Sequence, residues 1–81
     1  MKINFSRHAR RRIKLYSIDE GDVRNIIETM LLDIGADVGK YEKINYSLSE
    51  KYGYPLKVVF LVEGKDIIVI TAYPLKREKN R

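Results

Sequence analysis

Apolar and polar positions change period twice along the chain. Ile3 to Phe5 reads as a short strand or an extended lead-in. Phe5, Ala9, Ile13 and Tyr16 then recur at helical spacing, with Ser6 placed as an N-cap and Arg7, Arg10, Arg11 and Lys14 pointing elsewhere. Ser17-Ile18-Asp19-Glu20 has the form of a capping box, in which the serine hydroxyl caps a second helix. Val23, Ile26, Ile27, Met30, Leu31 and Ile34 trace the apolar stripe of that helix. Gly35 is expected to stop it in the left-handed conformation.

Beyond a loop over Ala36 to Lys40 the period falls to two. Tyr41 to Leu48 alternates as an edge strand, and Glu50 to Tyr54 reads as a turn around Gly53. Leu56 to Val62 and Asp66 to Tyr73 are rich in β-branched and aromatic residues and flank a tight hairpin turn. With Gly64-Lys65 as the loop, Leu56, Val58, Phe60 and Val62 share a face with Ile67, Val69, Thr71 and Tyr73. In that register Lys57 lies on the opposite face from Tyr73, and a one-residue slip inverts the assignment. The expectation is a single α+β domain over 1–81: two N-terminal helices packed on a three- to four-stranded antiparallel sheet.

Charge is segregated. Residues 1–16 carry six Lys/Arg and no acid, residues 17–50 eight acids against three Lys/Arg, and residues 51–81 seven Lys/Arg against three acids. If the two basic ends meet in the fold they form one positive face suited to a polyanion. Cysteine is absent, which excludes disulfides and thiolate metal sites and favours the cytoplasm. No apolar signal-peptide core is visible, and the longest apolar run, Ile67 to Ala72, is too short to span a bilayer. The sequence holds no metal motif, glycine-rich phosphate loop or nucleophile elbow, so no cofactor is expected.

Local strings carry a resemblance. Phe5-Ser6-Arg7-His8-Ala9-Arg10-Arg11-Arg12-Ile13, followed by Ile18-Asp19-Glu20 and Val23, resembles the F-S/T-x-H-A-x-x-R opening of a group of small domains placed beside BrnT and RelE. Leu56-Lys57-Val58-Val59-Phe60 and Ile68-Val69-Ile70-Thr71-Ala72-Tyr73 are similar to the closing hairpin of that group. Members usually carry Arg-Gly where this chain has Tyr16-Ser17. The resemblance implies the RelE/ParE-like fold and a toxin of a toxin–antitoxin pair that cleaves RNA without a metal. Its implied partners are RNA, including ribosome-bound mRNA, and a cognate antitoxin.

Such cleavage needs a base for the ribose 2′-OH, an acid for the leaving 5′-oxygen and cations for the charged transition state. His8, Arg12, Lys57 and Tyr73 are the candidate catalytic set; Arg7, Arg10, Arg11, Lys76 and Arg77 are the candidate RNA-binding set. His8 is either an acid–base group beside Arg12 or a hydrogen-bonded anchor for the first helix, and the anchor is preferred. Tyr73 either transfers a proton, stacks on a base or packs its ring at the strand end. Lys57 is an active-site cation or an edge-protecting charge. Tyr41, Tyr46, Tyr52 and Tyr54 are read as packing residues in preference to base-stacking ones. The alternative to catalysis is a protein- or RNA-binding module, and the edge strand offers a route to a homodimer.

Overall fold

The computed structural model describes residues 2–35 and 37–76. Its elements are β1 (Lys2–Phe5), α1 (Arg7–Leu15), α2 (Glu20–Ile34), β2 (Gly39–Asn45), a 3₁₀ turn (Tyr46–Leu48), α3 (Ser49–Tyr52), β3 (Leu56–Glu63) and β4 (Asp66–Pro74). The class is α+β, and the four strands lie in the order β1-β4-β3-β2.

The sheet is mixed, which corrects the antiparallel expectation. β1 pairs parallel to β4, placing Ile3 beside Ile67 and Phe5 beside Val69. In this arrangement Phe5 joins the core, and the chain passes directly from β1 into α1, which packs along β4. β2 is an edge strand, as its alternation suggested, and runs antiparallel to β3. It ends earlier than expected because Asn45 Oδ1 accepts hydrogen bonds from Leu48 N and Ser47 Oγ, which turns the chain into the 3₁₀ turn. The expected turn at 50–54 is in part the helix α3, stopped by Gly53 at φ 81°.

Helices α1 and α2 cover one face of the sheet. Ala9, Ile13, Val23, Ile26 and Ile27 meet Leu56, Val58, Phe60, Val62, Ile67, Val69 and Ala72 in one buried cluster. The predicted stripe on α2 holds at its start and fades at its end, where Ile34 is 39% exposed.

The junction between α1 and α2 departs from the capping box. Ile18 N donates to Ile13 O at 2.8 Å and Ser17 N to Lys14 O at 3.3 Å, the paired bonds of a Schellman stop. Ile13 and Ile18, which flank it, are both buried. Ser17 therefore ends α1 at φ 54°, and Asp19 caps α2 by accepting from Gly21 N at 2.7 Å. A left-handed residue favours glycine over serine. Ser17→Gly should therefore raise stability by about 0.5–1 kcal/mol, read as a shift in the urea midpoint with an unchanged slope. Gly35 stops α2 at φ 78° and ψ −172°, so its φ is positive but it is not in the left-handed helical region expected of it.

The hairpin loop is Gly64-Lys65, and pairing runs as expected from Glu63–Asp66 to Phe60–Val69. There the register shifts. Val59 opposes Thr71, leaving Ile70 as the extra residue of a β-bulge. Ser6 fixes this point, donating from N to Val69 O and from Oγ to Ile70 O, both at 3.0 Å, while Oγ caps α1 by accepting from Ala9 N. The bulge inverts the rest of β4: Ala72 and Pro74 are buried on the helix side, and Thr71 and Tyr73 turn to the other face. Burial of Thr71 and Tyr73 beneath the helices would carry two hydroxyls into the core, where each needs a partner. No helix among the described residues is long and apolar enough to cross a membrane.

Candidate functional site

The bulge is what builds the site. Beyond it Lys57 and Tyr73 are directly opposed across β3 and β4, on the sheet face that α1 and α2 leave uncovered. The expectation that they occupy opposite faces is thereby corrected. Glu42, on the same face of β2, reaches Lys57 Nζ at 3.2 Å. The lysine side chain retains 22% of its exposure. Glu42 first, and Tyr73 after it, hold the Lys57 ammonium above the ordinary lysine value, so it stays charged at neutral pH. It is an electrostatic group and not a base.

Glu42 was missed in the sequence. Its alternation in β2 was visible, but its proximity to Lys57 depends on the β2–β3 register, in which Glu42 opposes Val59 and Ile44 opposes Lys57.

The first helix presents the cations. Arg7, Arg10, Arg11 and Lys14 are exposed, and Arg12 is half-buried with Nη1 3.4 Å from Tyr16 Oη. Arg10 is partly engaged, 4.0 Å from Glu20 and with its guanidinium 5.9 Å from the Phe5 ring centroid. His8 is exposed and forms no hydrogen bond among the described residues, so the preferred anchoring role has no partner there. His8 and Arg12 remain one turn apart on α1, and no ion pair or hydrogen bond joins either to Lys57 or Tyr73 among the described residues.

Lys76 is exposed just past β4, its Nζ 5.9 Å from the Tyr54 ring centroid. Arg77 lies outside the described residues. Among the described residues no group of three His, Asp or Glu is placed to hold a metal ion. A cleft of about 210 Å³ lies elsewhere, between α2 and β2, and Met30, Asp33, Lys43 and Asn45 are among its lining residues.

A second polar cluster ties α3 to the start of α2. The Tyr52 hydroxyl donates to Asp22 Oδ2 at 2.6 Å and accepts from Asp19 N at 3.0 Å, and Lys51 Nζ reaches the same Asp22 oxygen at 2.8 Å. Lys51, and then Tyr52, hold the Asp22 carboxyl below its ordinary value of 3.8, against the opposing effect of burial. A lowered carboxyl pKa contributes stability that is complete above 3.8 and is lost as pH falls through the folded value. Asp22→Asn should thus cost about 1 kcal/mol at pH 7, a modest value for a solvent-facing cluster. Urea titrations should show that difference vanishing in acid, well below pH 3.8.

No protein-family description, curated protein or solved structure matches this chain.

Proposed function

We propose that this chain is a RelE/ParE-like domain that acts as the toxin of a toxin–antitoxin pair and cleaves RNA without a metal. The observation that carries the reading is the Lys57–Tyr73 pair. A candidate proton donor and a candidate cation stand side by side on the uncovered sheet face, although the simplest hairpin register separates them. The strand–helix–helix–strands order and the cationic outer surface of α1 support the same reading.

In this mechanism the 2′-oxygen of a ribose loses its proton and attacks the adjacent phosphorus. The bond from phosphorus to the 5′-oxygen breaks, giving a 2′,3′-cyclic phosphate and a 5′-hydroxyl. Tyr73 donates its phenolic proton to the departing 5′-oxygen, and Lys57 beside it offsets the charge that builds on the phosphate oxygens. The proton of the 2′-OH passes to water, because His8 and Arg12 lie on α1, which packs on the opposite face of the sheet from Lys57 and Tyr73. Arg7, Arg10, Arg11 and Lys76 hold the strand through its phosphates, with Arg77 of the basic tail assigned the same role. An antitoxin that covers the open sheet face would silence the site, and the free edge of β2 is open to pairing with a second chain.

A second reading rests on Glu42. Its carboxylate already neutralises Lys57, which suits a module that binds RNA or protein without cutting.

Incubation of a long mixed-sequence RNA with the purified protein in EDTA, with and without ribosomes, separates the two. Cleavage that persists in the chelator and is lost in Tyr73→Phe and Lys57→Ala supports the nuclease. RNA binding without cleavage in either condition selects the module.

A further inference from the structure

Six tyrosines are present, and the structure sorts those between α2 and β3 into two kinds. Tyr41 stacks on Phe60 with centroids 5.6 Å apart and donates its hydroxyl to Asp37 O. Tyr52 is held by Asp22 and Asp19. Both are packing residues, as expected. Tyr46 and Tyr54 are different: they are 67% and 40% exposed, and neither hydroxyl forms a hydrogen bond among the described residues.

Tyr54 is also pinned in place. It precedes Pro55, whose carbonyl accepts from Leu75 N at 2.7 Å, so the entry to β3 and the exit from β4 are tied together just past the Leu56–Pro74 pair. This brings Lys76 Nζ to 5.9 Å from the Tyr54 ring centroid. The Lys57–Tyr73 pair is one row further into the sheet, about 10 Å from Tyr54 along β3 at the usual rise per residue.

We infer that Tyr54 and Lys76 form a base-stacking subsite for single-stranded RNA, beside the Lys57–Tyr73 pair at the same end of the sheet. The inference rests on the proposed action on RNA and adds where the strand is gripped and in what form. A part-exposed phenol ring with an ammonium over one face offers its other face to a nucleobase and a cation to the adjoining phosphate. Bases in a duplex are already stacked on their neighbours, so the subsite selects unpaired RNA. Stacking reads no particular base, so the grip tolerates sequence.

The test is fluorescence anisotropy in EDTA with a labelled, 2′-O-methylated single-stranded oligonucleotide, which binds but lacks the 2′-hydroxyl needed for cleavage. A duplex of the same sequence is measured beside it. The wild type should favour the single strand. Tyr54→Ala and Tyr54→Leu should each lose about tenfold or more in affinity, while Tyr54→Phe stays within about twofold. The leucine variant keeps apolar bulk without a π-face, and unchanged thermal midpoints show that the variants fold. Lys76→Ala should lose less, and its deficit should shrink as salt rises. Wild-type affinity in Tyr54→Leu would overturn the subsite and leave the proposed action on RNA standing. No binding of the single strand by the wild type would overturn the subsite and, where ribosomes bring about no cleavage, the proposed action on RNA as well.

Discussion

Phe60→Ala should lower the stability of the folded chain by about 3–5 kcal/mol, the largest loss expected from any single truncation here. Phe60 is fully buried and stands at the centre of the molecule's connections. It pairs with Val69 on one side and Tyr41 on the other, and its ring stacks against Tyr41. It also occupies the last regular row before the bulge that docks Ser6. Truncation therefore removes a large apolar surface, opens a cavity and loosens the point at which α1 is fixed to the sheet. A domain of 81 residues has about 4–12 kcal/mol to lose. The variant should melt on the order of 20 °C below the wild type, measured by circular dichroism. A drop of only a few degrees would mean that the core closes around the vacancy and that Phe60 is not its centre.

If the chain cleaves RNA as proposed, Tyr73→Phe should reduce the EDTA-resistant cleavage by about 10²–10⁴-fold, the usual range for loss of a positioned proton donor. Affinity for a non-cleavable RNA should change by less than about threefold, because the ring and its place opposite Lys57 are kept. Stability should also change by less than about 1 kcal/mol, since the ring stays and only the contact of the hydroxyl with the Lys57 ammonium is lost. This pattern separates proton transfer from packing, which a Tyr73→Ala change would mix. If phenylalanine cuts as fast as tyrosine, the proton for the 5′-oxygen comes from elsewhere and Tyr73 is a packing residue. Lys57→Ala should lose rate as well, and a Glu42→Gln change made beside it shows whether the carboxylate restrains the lysine or merely accompanies it.

Much of this architecture could be read from local chemistry. Ser6 caps α1, the apolar stripes locate both long helices, and Gly64 sets the two-residue loop of the hairpin at φ 65°. Each of these depends on residues within a turn or two of one another. The capping box was the local signal that misled. Ser17, Asp19 and Glu20 satisfy its pattern, yet the burial of Ile18 against Ile13 draws Ser17 into the end of α1 and passes the cap to Asp19. The resembling domains carry Arg-Gly where this chain has Tyr16-Ser17. A glycine at the second position suits the left-handed backbone that Ser17 adopts.

What the sequence by itself determined is the two long helices, the edge strand and the closing hairpin, with their order and the face each long helix buries, because periodicity and turn chemistry act over short spans of chain. The tertiary structure decided the parallel docking of β1, the bulge at Ile70 and, through it, the meeting of Lys57, Tyr73 and Glu42. A strand's register is a choice between two faces made once for many residues, and its outcome depends on what the rest of the chain puts against each face. Here Ser6, 64 positions away in sequence from Ile70, holds the bulge, and the helices favour Ala72 over Tyr73 as the side chain beneath them.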